Sequence, residues 1–154
     1  MRKLLLGLLI CSPALLLAQR TILHCGKLID VTKGQVLTEY SIIVDGNTIT
    51  EVQAGYTKPA GADKVIDLKN KTVLSGLIDC HVHMEHETSP TRYQEVFTYN
   101  PADYAFQSVV FAERTLMAGF TAVRDLGGTG VNISLRNAIN KKLIKGPRIY
   151  TAGK

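Results

Sequence analysis

The chain has 154 residues, of which 45% are hydrophobic and 20% charged, a composition that excludes a disordered chain and allows one compact domain or two small ones. Its formal charge of +5 gathers toward the C-terminal end, at Arg136, Lys141, Lys142, Lys145, Arg148 and Lys154, but aromatics make up only 6% of the chain and no stacking motif accompanies the lysines. The balance therefore reads as a solvated basic surface rather than a nucleic-acid-binding face.

Met1-Arg2-Lys3 is a basic start, and Leu4 through Ala18 is a leucine-rich run whose end, Leu16-Leu17-Ala18 before Gln19, has the form of a signal-peptidase site. Ser12 and Pro13 interrupt that run, which is shorter than the roughly 20 residues of a membrane span. Residues 1–18 are accordingly expected to be a secretory signal peptide, with the mature protein periplasmic or secreted and without a membrane span. Ile10 before Cys11 argues against a lipoprotein signal. Of the cysteines left after cleavage, Cys25 and Cys80 lie in different expected elements and are read as buried thiols rather than a disulfide framework.

Thr21–Cys25 and Lys27–Asp30 are short β-type runs separated by Gly26, and Thr32–Gly34 makes a turn. His24 is read as an ordinary strand residue. Tyr40–Val44 and Asn47–Val52 flank Asp45-Gly46, the signature of a tight hairpin. Residues 53–64 form a connection, and Val65–Asp67 and Thr72–Leu74 bracket an expected turn at Leu68–Lys71. Thr72 to His86 then reads as one strand. Strict alternation would put Leu77, Asp79, His81 and His83 on one side and Ile78, Cys80, Val82 and Met84 on an apolar side.

Two imidazoles at i and i+2 on one strand are able to reach a single cation, and neutral imidazole suits zinc and similar ions. The same residues also fit the wet face of an ordinary antiparallel strand. Spacing alone leaves both readings of His81 and His83 open.

Glu87–Thr98 is expected to be a polar loop or lid. A helix follows, with Asn100 as N-cap, Pro101 in the first turn and Asp103 three residues after the cap. Its apolar stripe is Ala105, Val109, Ala112 and Leu116, widened by Phe106, Val110 and Met117, and Gly119 ends it. Phe120–Asp125 is a strand closed by the loop Leu126–Gly130, which lacks both P-loop and dinucleotide-binding spacing. A second amphipathic segment carries Val131, Leu135, Ala138, Ile139 and Leu143 and stops at Gly146-Pro147, and Arg148–Ala152 begins a third strand. Strand, helix, strand, helix, strand implies a parallel sheet.

Gly76-Leu-Ile-Asp-Cys-His-Val-His83, together with Ala118-Gly-Phe-Thr-Ala-Val-Arg-Asp-Leu-Gly-Gly128, resembles the amidohydrolase superfamily, and the likeness runs over the whole chain after residue 18. Arg124-Asp125-Leu-Gly-Gly128 and Gly146-Pro-Arg-Ile149 are similar to the branch of Xaa-Pro dipeptidase-like and imidazolonepropionase-related proteins. The resemblance implies an α/β fold: residues 19–74 as part of a small β-sandwich, and residues 75–154 as about the first three strands of a truncated (β/α)8 TIM-type barrel.

It also implies that His81 and His83 are metal ligands, that the cofactor is one or two divalent ions with zinc favoured, and that a metal-activated hydroxide hydrolyses an amide-type C–N bond. Dipeptides and N-acyl amino acids are the substrate classes implied. Ser75 stands where the family usually has proline. The family's further ligands (a carboxylated lysine or glutamate and two histidines) and its aspartate base come from later strands, so the chain alone is expected to be inactive. The competing expectation is a non-catalytic, exported metal-binding or interaction fragment that retains the histidine pair. Lys154 ends the third strand, one strand early for a bridging lysine, and His86 is read as a loop histidine. Asp79 is expected to orient a ligand from behind. For Asp125, facing the site and forming a structural salt bridge are equally good expectations.

Overall fold

A computed structural model describes residues 19–154; the expected signal peptide, and Cys11 within it, lie outside the described residues. The chain divides between Leu74 and Ser75 into two compact units.

The first unit is a four-stranded sheet of β1 (Thr21–Asp30), β2 (Gln35–Asp45), β3 (Thr48–Ala54) and β4 (Lys64–Val73), in the order β3-β2-β1-β4. β2 pairs antiparallel with β1 and β3, and β4 runs parallel to β1. The hairpin expected at Asp45-Gly46 joins β2 to β3, with Asp45 paired to Thr48 and Gly46 supplying a φ of +56°. At the β1–β2 turn, Asp30 Oδ1 accepts from the backbone N–H groups of Thr32 and Lys33 and from the Thr32 hydroxyl. That side-chain turn does locally what a backbone turn would otherwise do.

Two runs expected to be broken are continuous here. β1 passes through Gly26 without interruption, and β4 passes through the stretch expected as the turn Leu68–Lys71. The pairing slips instead, from Cys25↔Leu68 to Lys27↔Thr72. This is a bulge rather than a turn, and Gly26 permits it: a Cβ there would lie 1.9 Å from the Lys69 carbonyl oxygen. Cys25, Leu28 and Ile42 form the core of the unit, with Leu23, Leu37, Tyr40, Val44 and Val73 packed around them. His24 is indeed a strand residue; it is buried, and its Nε2–H donates to the Thr57 carbonyl at 2.9 Å.

The second unit runs β5 (Leu77–Val82), α1 (Arg92–Thr98), α2 (Pro101–Met117), β6 (Phe120–Asp125), α3 (Val131–Asn140) and β7 (Arg148–Thr151). Its three strands form a parallel sheet in the order β5-β6-β7, as the alternation of strands and helices implied. Thr72 and Val73 end β4 in the first unit, so the segment expected as one strand from Thr72 to His86 is two, separated by residues 74–76. The expected polar loop at Glu87–Thr98 contains the short helix α1, whose Glu95 is buried. Asn100 caps α2 as expected, its N–H donating to the Asp103 carboxylate at 2.7 Å.

Met84, Ala112, Val123, Leu135 and Ile149 make the core of this unit, with Val82, Val109, Phe120, Ile139 and Ile144 against them. Each of the fully buried large side chains, Met84, Val123, Leu135 and Ile149, contributes about 1.5–3 kcal/mol relative to exposure. The face that α2 buries is Tyr104, Ser108 and Ala112; Phe106, Val110 and Met117, which were expected to widen the apolar stripe, are exposed. Leu143, expected on the second amphipathic face, is also exposed, because α3 ends at Asn140 before reaching it.

Candidate metal centre

The strands of the second unit deliver their chemistry at one end, where β5 runs out into His83, Met84 and Glu85 and β6 runs into Leu126–Gly130. The direction of the two histidines is set by a break in the alternation of β5. Asp79 pairs with Val123 and Val82 pairs with Asp125, so Cys80 and His81 together stand opposite the single residue Arg124. This is a β-bulge, a device that re-aims side chains at the rims of sheets. Beyond it Val82 and Met84 join Val123 in the core. By alternation His81 and His83 turn to the open side of the sheet, the side that carries Ile78, Arg124 and Tyr150.

The expected grouping of faces is corrected accordingly. Asp79 does not share the histidines' side; its Oδ1 accepts the N–H of His81 at 2.9 Å, supplying a partner for a backbone amide in the bulge. Cys80 is exposed, against the expectation of a buried thiol, because it falls on the open face and lines a shallow hollow of about 410 Å³ with Ile78, Arg124 and Tyr150. Cys25 is buried as expected.

The imidazoles of His81 and His83 lie with ring centroids 5.8 Å apart, edge to face. His83 Nδ1 is 2.9 Å from the Gly127 carbonyl oxygen. A carbonyl only accepts, so Nδ1 carries the proton and the Nε2 lone pair is left for a cation. This is the arrangement that metal-bound histidines ordinarily show, and on that ground the residues present fit a divalent metal. His86 is a loop residue, as expected, and its ring stacks on that of His83 with centroids 5.5 Å apart. Partial burial, first of all, and the positive charge of Arg92 nearby hold His86 below the usual imidazole value. Among the described residues, no group of three or more His, Cys, Asp or Glu side chains is arranged to hold a metal.

Asp125 fits neither expected role. It is fully buried and, among the described residues, forms no ion pair of the kind expected; its Oδ2 accepts the N–H of Met84, and its Oδ1 accepts the N–H of Gly127 and the Asn132 side-chain amide, all at 2.9 Å. Asn132 Nδ2 also reaches Thr151 Oγ1 and the Gly153 carbonyl, joining the ends of β6 and β7. Glu85 is buried as well, and its carboxylate accepts the N–H groups of Thr129 and Asn132 at 2.8 and 2.7 Å, capping α3 from another loop. Lys154 is exposed.

Sequence reasoning missed Glu85, Asn132 and the Gly127 carbonyl. The spacing Asp125-x-Gly127 carries a trace of the loop geometry, since a carboxylate commonly takes the amide two residues on. Nothing local distinguishes Glu85 from the polar residues around it.

Residues 72–154 match the amidohydrolase family. The chain belongs to this family. Comparison with curated proteins finds no match. Among solved structures, this amidohydrolase chain is similar to a Xaa-Pro dipeptidase crystallised with methionine in its active site, at 40% identity and a TM-score of 0.82 over 88% of this chain and 34% of that one. It is similar also to a prolidase complexed with N-methylphosphonate-L-proline, at 33% identity and a TM-score of 0.75 over 88% of this chain and 32% of the other. The ochratoxinase of A. niger follows at 25% identity and 0.69, over 88% and 31%. The chain thus spans about a third of the length of these relatives, and it carries the beginning of the amidohydrolase barrel, as three parallel strands with their helices.

Proposed function

We propose that the chain is the N-terminal part of an exported, metal-dependent amidohydrolase that cleaves amide-type C–N bonds in small molecules, with dipeptides and N-acyl amino acids as substrate classes. The observation that carries the reading is the His81–His83 pair, re-aimed by the β5 bulge to the open face of the sheet, with the His83 Nδ1–H engaged by the Gly127 carbonyl. The likeness to a Xaa-Pro dipeptidase and a prolidase supports a dipeptide substrate. A divalent cation, with zinc favoured by imidazole ligation, would be held by His81 and His83 and would supply Lewis-acid activation of water and of the scissile carbonyl. Within this chain the two histidines would supply the lone pairs, the Gly127 carbonyl holds one ring, and the same open sheet face carries Arg124 and Tyr150.

Export rests on residues 1–18, and the mature chain is read as periplasmic or secreted with residues 19–74 and 75–154 as its two domains. No helix among the described residues is long and apolar enough to cross a membrane. A second reading, an exported metal-binding or interaction fragment without catalysis, rests on the same histidine pair.

Zinc titration by calorimetry of the full chain and of the His81→Ala/His83→Ala variant tests both readings, with hydrolysis of Xaa-Pro dipeptides followed in parallel. Zinc binding that the variant abolishes supports a histidine-held metal in either reading; hydrolysis that the variant abolishes, in a product of the same gene that continues into the later barrel strands, supports the amidohydrolase reading, and zinc binding without hydrolysis there supports the second. Equal zinc affinity in the two proteins sinks both.

A further inference from the structure

We propose that Asp125 is a positioning residue for His83, acting through residue Gly127 to hold the imidazole as its Nδ1–H tautomer with Nε2 aimed at the metal position. This rests on the reading of His83 as a ligand. The link is short and continuous. His83 Nδ1–H donates to the carbonyl of Gly127, and the N–H of the same residue donates to Asp125 Oδ1. The second oxygen of that carboxylate accepts the N–H of Met84, which follows His83 directly in the chain. One buried carboxylate therefore grips both the backbone beside the ligand and the residue that holds the ligand's ring.

Gly127 adopts a φ of +118°, a conformation that side-chain-bearing residues resist, so the direction of its carbonyl is a property of this loop and not of any strand. Without an external acceptor at Nδ1, a neutral histidine favours the Nε2–H form, which would place a proton where the metal must bind. The Asp125–Gly127 contact opposes that default. His81 is the internal comparison, since neither of its ring nitrogens forms a hydrogen bond to this loop.

Long-range proton–nitrogen NMR of the metal-free full chain at about pH 8, above the ordinary histidine pKa, reads the tautomer of each imidazole directly. The expected result is Nδ1–H at His83 in the native chain and a shift to Nε2–H in Asp125→Asn, with His81 unchanged. Zinc affinity should fall roughly 10–100-fold in that variant, the usual cost of losing a group that orients a metal-bound histidine. Asn132→Ala removes a different partner of the same carboxylate and leaves both backbone links, so it should keep the native tautomer.

A folded Asp125→Asn chain with His83 still Nδ1–H overturns the proposal, as does an equal tautomer shift in Asn132→Ala, which would indicate general loosening. Should Asp125→Asn fail to fold, Gly127→Ala decides, because it disturbs the peptide without removing a buried polar group; an unchanged tautomer there is equally fatal. A native chain that binds no zinc refutes the ligand reading instead, and the tautomer measurement still judges this one.

Discussion

Replacing Glu85 by glutamine should destabilise the second unit far more than a near-isosteric change at a glutamate normally does. Glu85 is only 2% exposed, and its two oxygens separately accept the amides of Asn132 and Thr129 at 2.7 and 2.8 Å. Glutamine offers one oxygen, so one of those N–H groups would face an NH2 instead of an acceptor. Losing a hydrogen bond to a charged group costs roughly 1.5–3 kcal/mol. Removing a negative charge from the N-terminal end of α3 adds roughly 0.3–1 kcal/mol. Together the change should cost about 2–4 kcal/mol, against the roughly 5–15 kcal/mol that holds an ordinary domain folded. Urea unfolding of the full chain, followed by far-ultraviolet circular dichroism, should show the midpoint falling with little change in slope. Gly128→Ala reaches the same contact from the other side, since its Cβ would lie 2.5 Å from the Glu85 carboxyl carbon, which two hydrogen bonds pin in place. A loss below about 0.5 kcal/mol in Glu85→Gln, the range of an ordinary surface change, would refute the reasoning.

Gly26→Ala should destabilise the first unit by at least the roughly 1–3 kcal/mol typical of overpacking, because the new methyl meets backbone, the Lys69 carbonyl at 1.9 Å, and not a side chain that can swing away; urea unfolding checks it, and a neutral result would place the β1–β4 bulge elsewhere. Hydrogen bonds from Arg20, first of all, hold the Asp63 carboxyl below its ordinary value, and Asp30 is lowered likewise by the Thr32 hydroxyl. A depressed folded pKa gives stability that is present above the unfolded aspartate value of about 3.9 and is lost as pH falls through the lower folded value. Asp63→Asn should therefore flatten the fall in thermal midpoint below about pH 4, and an unaltered acid limb would show that the Arg20 pair contributes nothing.

Much of the second unit was legible because its signals are local. The Asn100, Pro101 and Asp103 start of α2, the Gly119 ending and the β6 run each depend on residues a few positions apart. The hairpin at Gly46 belongs to the same class. What was not legible depended on distant partners. The exposure of Phe106 and Met117 is decided by which face of α2 meets β6 and α3, and a broad apolar stripe does not say which edge is buried. The β4 stretch Lys69-Asn-Lys71 looks like a turn by composition, yet it is a bulge held between two paired ends, Leu68 opposite Cys25 and Thr72 opposite Lys27. At the site, the histidine pair could be read from its spacing, whereas Asp125 and Glu85 acquired their parts only when two loops brought backbone amides to them.

The bulge in β5 decides what the His-x-His spacing means. Plain alternation correctly places His81 and His83 on a common side, but continued from Asp79 it would turn that side toward Val123 and the helices. Two imidazoles would then be driven into a core built of Met84, Val123, Leu135 and Ile149, and Val82 and Met84 would be expelled from it. Both halves of that exchange are unfavourable: burying polar groups without partners costs roughly 1–3 kcal/mol each in proteins, and exposing two large apolar side chains forfeits a similar amount apiece. Setting Cys80 and His81 opposite Arg124 alone avoids the exchange, and the side chain of Asp79 supplies the acceptor for the His81 amide. The apolar residues thus hold the strand against the helices while the histidines face the open sheet. A motif written as His-x-His is in physical terms Asp-x-His-x-His, with the aspartate serving the backbone that aims the pair.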